Sequence, residues 1–174
     1  ERIFPINRED VKKSIIFATD KFPEQLDQIN LMLNARLVNF HQVTGQETAN
    51  RRLLREIVSS FSNGSIQVLT SKRVLDEGFN VPQTEVAYLV AANTVVKQWI
   101  QRLGRVLRLS PNTGKTHAVI HDFVVIPNSE GMFMDEDLKS TVRSELDRVM
   151  FFGSLCQNGS SPKGYINMAT ELLG

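Results

Sequence analysis

Three arginines spaced three residues apart form the clearest candidate site in this 174-residue chain: Arg102, Arg105 and Arg108. The segment 97–108 has the apolar periodicity of a helix, and the arginines fall on its polar face with no acidic residue three or four positions away. Arginine binds phosphate oxygens through paired N–H donors, so the pattern predicts a rigid helix that reaches several oxygens of a phosphate group. A solvent-exposed basic helix is the simpler alternative.

Hydroxyl and glycine residues follow a predicted buried strand at 66–70. Thr70 and Ser71 offer hydroxyls and backbone N–H groups that suit a phosphate of a nucleic-acid strand. Gly78 permits a backbone conformation that other residues resist, and Pro82 fixes the backbone before the next strand. An ordinary connection with a turn would explain the same residues.

The arginine segment, QRLGRVLR at 101–108, closely resembles motif VI of superfamily 2 helicases, Q/H-R-x-G-R-x-x-R. The resemblance implies that Arg105 and Arg108 are arginine fingers, which reach across a cleft to the γ-phosphate of ATP bound to another domain. It also implies that Gln101 and Arg102 line the same cleft.

The segment 70–82, ending in EGFNVP, resembles helicase motif V in repair and restriction-type enzymes. The resemblance implies nucleic-acid contacts for Thr70 and Ser71 and a place in the ATP cleft for Gly78 and position 80. The family has Asp where this chain has Asn80, whose amide can bond a ribose hydroxyl but carries no charge. This departure keeps open a helicase-like module that binds nucleic acid or a protein partner without hydrolysing ATP.

Two weaker segments precede these motifs in the order that the family shows. SIIFATDK, at 14–21, resembles motif IV. Thr44-Gly45, followed by Arg52, resembles the motif that helps to hold the nucleic-acid backbone, which implies contacts from Gly45 and Arg52. Each segment alone could be a connection that is common in α/β proteins. Taken together, the four segments extend the resemblance over roughly residues 14–122.

Short apolar runs alternate with amphipathic stretches, which predicts a three-layer α/β domain with a mainly parallel sheet; the resemblance makes it RecA-like. The domain should span 1–127, and a C-terminal helical tail, 128–174, should pack on or beside it. Strands are expected at 14–18, 36–41, 66–70, 85–91 and 116–123, and helices at 23–34, 44–61, 94–107 and 136–155.

The tripeptide Gly114-Lys115-Thr116 suggests a phosphate-binding P-loop, but that motif needs a glycine where Leu109 stands and must follow a strand. We therefore predict a turn. No acidic D-E-x-D or D-E-x-H box occurs, so no metal site is expected, and the chain alone should not hydrolyse ATP. ATP and Mg²⁺ would be held mainly by an N-terminal RecA-like domain of the same polypeptide, of which this chain is expected to be a fragment.

The charge and composition of the chain indicate which kinds of partner it can bind. The net charge is +1, from 20 Lys and Arg against 19 Asp and Glu. Such a small charge favours binding of nucleic acid at a local basic site over electrostatic binding by the whole protein surface. A single cysteine and the lack of any apolar run near 18 residues predict a cytoplasmic protein without a membrane partner, nucleoid-associated if bacterial. The combined prediction is the C-terminal motor domain of an ATP-dependent helicase or translocase that acts on nucleic acid, with DNA favoured over RNA by the family resemblance and the choice between them left open by the sequence.

Overall fold

The computed structural model describes residues 4–18, 23–72, 81–90, 104, 108, 114–124, 136–161, 164 and 166–167. Five strands form one parallel sheet in the order β2-β3-β1-β4-β5. They are β1 (Ser14–Phe17), β2 (Phe40–Gln42), β3 (Val68–Ser71), β4 (Val86–Leu89) and β5 (Val119–Asp122). Every residue of β1, β3 and β4 is buried, as expected where helices cover both faces of a parallel sheet. The predicted α/β fold with a mainly parallel sheet is confirmed.

The described residues contain the α-helices α1 (Pro23–Ala35), α2 (Gly45–Ala49), α3 (Arg51–Ser62) and α4 (Glu136–Leu155). A short 3-10 helix, Arg8–Asp10, precedes β1. The bounds of α4 agree with the prediction, and those of α1 agree to within one residue. The helix predicted at 94–107 lies outside the described residues except for Gly104, which is helical.

The prediction of one continuous helix over 44–61 is wrong, because the chain bends at Asn50. The backbone of Asn50 is extended, and its side-chain oxygen accepts hydrogen bonds from the N–H groups of Arg52, at 3.1 Å, and Leu53, at 3.2 Å. Asparagine is among the preferred residues at a helix N-cap because it satisfies backbone donors that have no partner inside the helix. A second helix therefore starts at Arg51.

The predicted start of the second strand at Arg36 is also wrong, since the strand begins at Phe40. Helix α1 continues to Ala35 and ends in a turn, where Val38 N–H donates to the Leu33 carbonyl at 3.0 Å. Leu37 takes a left-handed backbone with φ of +55°, a conformation common after a helix end but rare for leucine.

The main core packs α1 and the chain before β1 against the sheet. Leu33 and Val68 are fully buried in it, and Ile16, Tyr88 and Phe4 belong to the same buried cluster with slight exposure. Arg36 fixes the chain before β1, because its guanidinium donates to the Pro5 carbonyl at 3.1 Å and lies 5.7 Å from the centre of the Phe4 ring. This packing of the segment before β1 was not predicted.

Contacts divide the chain into two compact units, Glu1–Phe123 and Val124–Gly174. The second unit contains α4, whose buried Leu146 and Val149 pack with Val124 and Met150. Arg148, also on α4, is buried and pairs with Glu145. No helix among the described residues is long and apolar enough to cross a membrane.

Candidate functional site

The carboxyl end of β3 holds the two hydroxyl residues predicted to contact nucleic acid. Thr70 is fully buried, and its hydroxyl donates to Asn30 Oδ1 at 3.0 Å. Asn30 in turn donates from Nδ2 to Gln42 Oε1, at the end of β2, at 2.7 Å. Ser71 is also buried, and its carbonyl accepts from Ala18 N–H at 2.9 Å. The Thr70 hydroxyl thus donates its proton to another residue of the domain. Direct contact of Thr70 and Ser71 with nucleic acid stays a prediction.

Asn30 links three elements at this edge of the sheet, and the sequence analysis missed it. It lies four residues after Leu26 and three before Leu33, so it shares the buried face of α1 with two leucines that are almost fully buried. A polar residue on that face needs a partner, since an unpaired buried amide costs about 1–3 kcal/mol. The periodicity of α1 was therefore the signal that could have pointed to Asn30.

Gly45 lies beyond the end of β2, at the same edge of the sheet, and begins α2. Thr44 caps this helix: its hydroxyl accepts from Gln46 N–H at 3.2 Å, and its own N–H donates to Glu47 Oε2 at 2.8 Å. The hydrogen bond from the Thr44 side chain holds the pKa of the Glu47 carboxyl below its usual value. Apart from its chain neighbours and the backbone of its own helix, no atom lies within 4 Å of a Cβ placed on Gly45, so the exposed residue is open on that side.

Arg52 lies in the first turn of α3 and is 87% exposed. Its Nε pairs with Glu56 Oε1 at 3.1 Å, one helical turn further on. An exposed pair of this kind contributes little to stability, so Arg52 can exchange its partner for another anion at small cost. Arg51 and Arg55 are exposed beside it, which makes the start of α3 a basic surface.

Arg108 lies near the opposite edge of the sheet. Its side chain is exposed, and its carbonyl accepts from Lys115 Nζ at 3.3 Å. Lys115 also donates to the Pro82 carbonyl at 2.8 Å. It lines a cavity of about 350 Å³ with Lys13 and Glu85, which directly precede β1 and β4. The cavity therefore lies at the amino ends of the strands, about 13 Å from their carboxyl ends for strands of four residues.

The structure thus separates the described candidate residues into two groups. Thr70, Ser71 and Gly45 share the carboxyl edge of the sheet, whereas the Arg108 backbone lies at the amino edge. Of the residues assigned to the ATP cleft, Gln101, Arg102, Gly78 and Asn80 lie outside the described residues, as does Arg105, so their roles stay predictions.

The predicted turn at Gly114-Lys115-Thr116 is confirmed. Gly114 lies in a turn with φ of +67°, a left-handed conformation that favours glycine, and β5 follows from Val119. The Lys115 ammonium is held by two backbone carbonyls, and burial lowers its pKa.

Acidic and histidine side chains do not converge on a metal site in the part of the chain that the structure describes: no three of the His, Cys, Asp and Glu residues there are grouped to hold an ion. His121 stacks on Tyr88 with ring centres 4.9 Å apart, and burial lowers its pKa. This histidine belongs to β5 and stacks on its paired residue in β4.

Comparison with known proteins matches most of the chain to one domain of helicases. Residues 1–110 match the family described as helicase conserved C-terminal domain. The chain is 38% identical over 53 residues to the DNA 3'-5' translocase XPB2 of Sulfurisphaera tokodaii, and the match covers 30% of this chain and only 12% of that protein.

Two solved structures have the same fold. The C-terminal domain of Dbp5 from S. cerevisiae, bound to Gle1 and IP6, is similar over 98% of this chain and 95% of its own, with 15% identity and a TM-score of 0.50. The C-terminal part of the Fun30 ATPase domain is similar over 84% of this chain and 49% of its own, with 16% identity and a TM-score of 0.55.

Proposed function

Because the chain belongs to the family of helicase conserved C-terminal domains, we propose that it is the C-terminal motor domain of an ATP-dependent DNA helicase or translocase. In this proposal the ATP lies in a cleft between this domain and an N-terminal RecA-like domain. One edge of the sheet in this chain contributes to that cleft, and the other edge binds the backbone of a nucleic-acid strand.

The observation that carries the proposal is the position of Lys115 between the ends of two segments. Its ammonium contacts the carbonyl of Arg108, the last residue of QRLGRVLR, and the carbonyl of Pro82, which ends EGFNVP. Gly78 and Asn80 come just before Pro82, and Gln101, Arg102 and Arg105 come just before Arg108. The two segments that resemble ATP-cleft motifs therefore end side by side.

The chemistry of Arg108 fits a phosphate. Its side chain is exposed and makes no ion pair with any residue that the structure describes. A guanidinium offers five N–H donors in a fixed plane and keeps its charge at all relevant pH values. ATP with Mg²⁺, held mainly by the N-terminal domain, would supply the phosphoryl group, and Arg105 and Arg108 would stabilise the charge that develops on its oxygens. Gln101, Arg102, Gly78 and Asn80 would line the cleft.

The carboxyl edge would hold the nucleic acid. Gly45 presents open backbone, and Arg52 presents an exposed cation at the start of α3. Thr70 and Ser71 lie buried at this edge, where Asn30 holds the hydroxyl of Thr70 and Ala18 N–H bonds the carbonyl of Ser71. Such contacts bind the phosphate backbone rather than the bases, so sequence preference should be weak. DNA is favoured because the relative from Sulfurisphaera tokodaii is a DNA translocase.

Replacing Arg52 by alanine should weaken binding of single-stranded DNA by several-fold. It should also reduce the slope of log affinity against log salt by about 0.7, because one phosphate contact is lost. Fluorescence anisotropy of a labelled strand at several salt concentrations measures both quantities. The matched control is Arg143→Ala, which removes an exposed arginine from α4. Equal affinities and slopes for the two variants would contradict the assignment of Arg52.

One feature of the sequence favours a second function. Asn80 replaces the aspartate of the family, and loss of that charge could leave a module that binds nucleic acid or a protein partner without hydrolysing ATP. The two functions differ in whether the full-length protein hydrolyses ATP.

A further inference from the structure

Lys115 makes an arrangement of hydrogen bonds that the resemblance to helicases does not account for. Its Nζ lies 2.8 Å from the Pro82 carbonyl and 3.3 Å from the Arg108 carbonyl. The first contact joins residues 33 positions apart, and the second joins residues seven positions apart. An ammonium has three N–H donors, so it can hold both carbonyls at once.

The local structure places Lys115 in this position. Gly114 has a left-handed backbone, which turns the chain just before Lys115. Among the described residues no carboxylate lies within ion-pair distance of the ammonium, although Glu85 is near enough to interact electrostatically. Two neutral carbonyls are therefore its direct partners, and the partly buried ammonium replaces lost contacts with water by these two hydrogen bonds.

We propose that Lys115 is a positioning residue for the arginine fingers, holding the end of the 101–108 segment against the end of the 77–82 segment. This inference rests on the proposed function, since it assumes that Arg105 and Arg108 contact ATP. The contact at the Arg108 carbonyl fixes the point from which the side chain extends. The contact at the Pro82 carbonyl ties that point to the end of the sequence segment that includes Gly78 and Asn80.

Lys13 provides a matched comparison within the same cavity. It also lies partly buried, and its ammonium also donates to a backbone carbonyl, that of Ser62 at the end of α3. Its ammonium donates to this carbonyl of α3, whereas the carbonyls of Arg108 and Pro82 accept from Lys115. A purely structural role for these lysines predicts similar consequences when either is replaced, whereas positioning of the fingers predicts a loss of catalysis for Lys115 alone.

The test compares kcat and KM for ATP in the full-length enzyme at saturating nucleic acid. We expect Lys115→Met to lower kcat by about 10- to 100-fold, because misplacement by about 1 Å has effects of this size. KM for ATP should change little, and Lys115→Arg, which can donate to both carbonyls, should recover most of kcat. Lys13→Met should keep the wild-type kcat, even if its melting temperature falls.

Wild-type kcat in Lys115→Met, or an equal loss in Lys13→Met, would overturn the proposal. Melting temperatures show whether each variant is folded at the assay temperature. If Lys115→Met does not fold, Lys115→Gln replaces it in the test, because the shorter amide side chain cannot reach both carbonyls. Wild-type kcat in Lys115→Gln, or an equal loss of kcat in Lys13→Met, would then overturn the proposal. Arg105→Ala and Arg108→Ala are measured in parallel: if both hydrolyse ATP normally, the assignment of arginine fingers in the proposed function itself fails. If only these arginine variants lose activity, the role of Lys115 alone fails.

Discussion

Replacing Arg108 by alanine in the full-length enzyme is expected to lower kcat for ATP hydrolysis by about 10³-fold or more, the effect typical of a lost arginine finger. The exposed guanidinium of Arg108 would otherwise stabilise charge on the phosphoryl oxygens in the transition state. Arg108→Lys should rescue little of the loss, because an ammonium cannot make the paired hydrogen bonds of a guanidinium. A steady-state assay at saturating ATP and nucleic acid measures kcat.

The control for this prediction is Arg143→Ala, which removes an exposed arginine from α4, outside residues 1–123. It should hydrolyse ATP at the wild-type rate. Arg105→Ala should behave like Arg108→Ala. Wild-type kcat in both Arg105→Ala and Arg108→Ala would show that the segment 101–108 does not provide arginine fingers.

Replacing Leu33 by alanine should lower the free energy of unfolding by about 2–5 kcal/mol. Leu33 is fully buried between α1 and the sheet, so truncation leaves a cavity in the main core. Leu31, two positions earlier on the same helix, is 59% exposed. Leu31→Ala removes the same atoms and should change stability by no more than about 0.5 kcal/mol.

Urea unfolding monitored by circular dichroism compares the two variants through their midpoints, provided that their slopes are equal. The experiment tests the orientation of α1, which also directs Asn30 towards Thr70. A larger loss for Leu31→Ala than for Leu33→Ala would mean that α1 packs through its other face. The arrangement at the carboxyl edge would then be wrong.

Apolar runs predicted the strands whose burial is uniform: β1, β3 and β4 have buried residues throughout and were predicted close to their observed bounds. Helix α4 was predicted from the acidic and helical composition of its segment, and its bounds agree. The errors occurred where a side chain bonds the local backbone. Asn50 caps a new helix inside an apolar pattern that continues past it, and Leu37 adopts a left-handed turn for which its residue type gives no signal.

The candidate site was predicted as residue types and spacings, not as contacts. The resemblance indicated Thr70 and Arg108, but the sheet places them at opposite edges, which only the strand directions reveal. Thr70 bonds Asn30, which lies 40 positions earlier, and Arg108 accepts from Lys115, which lies seven positions later. A local sequence pattern could not predict these contacts. Lys115 was predicted only as part of a turn, and its two carbonyl contacts required the three-dimensional structure.

The most direct test of the central claim is ATP hydrolysis by the full-length protein, with and without single-stranded and duplex DNA and the matching RNAs. A motor domain predicts hydrolysis that DNA stimulates more strongly than RNA and that Arg108→Ala abolishes. If the folded protein hydrolyses no ATP with any of these nucleic acids, the motor proposal is contradicted, and the chain belongs to a module that binds without hydrolysis.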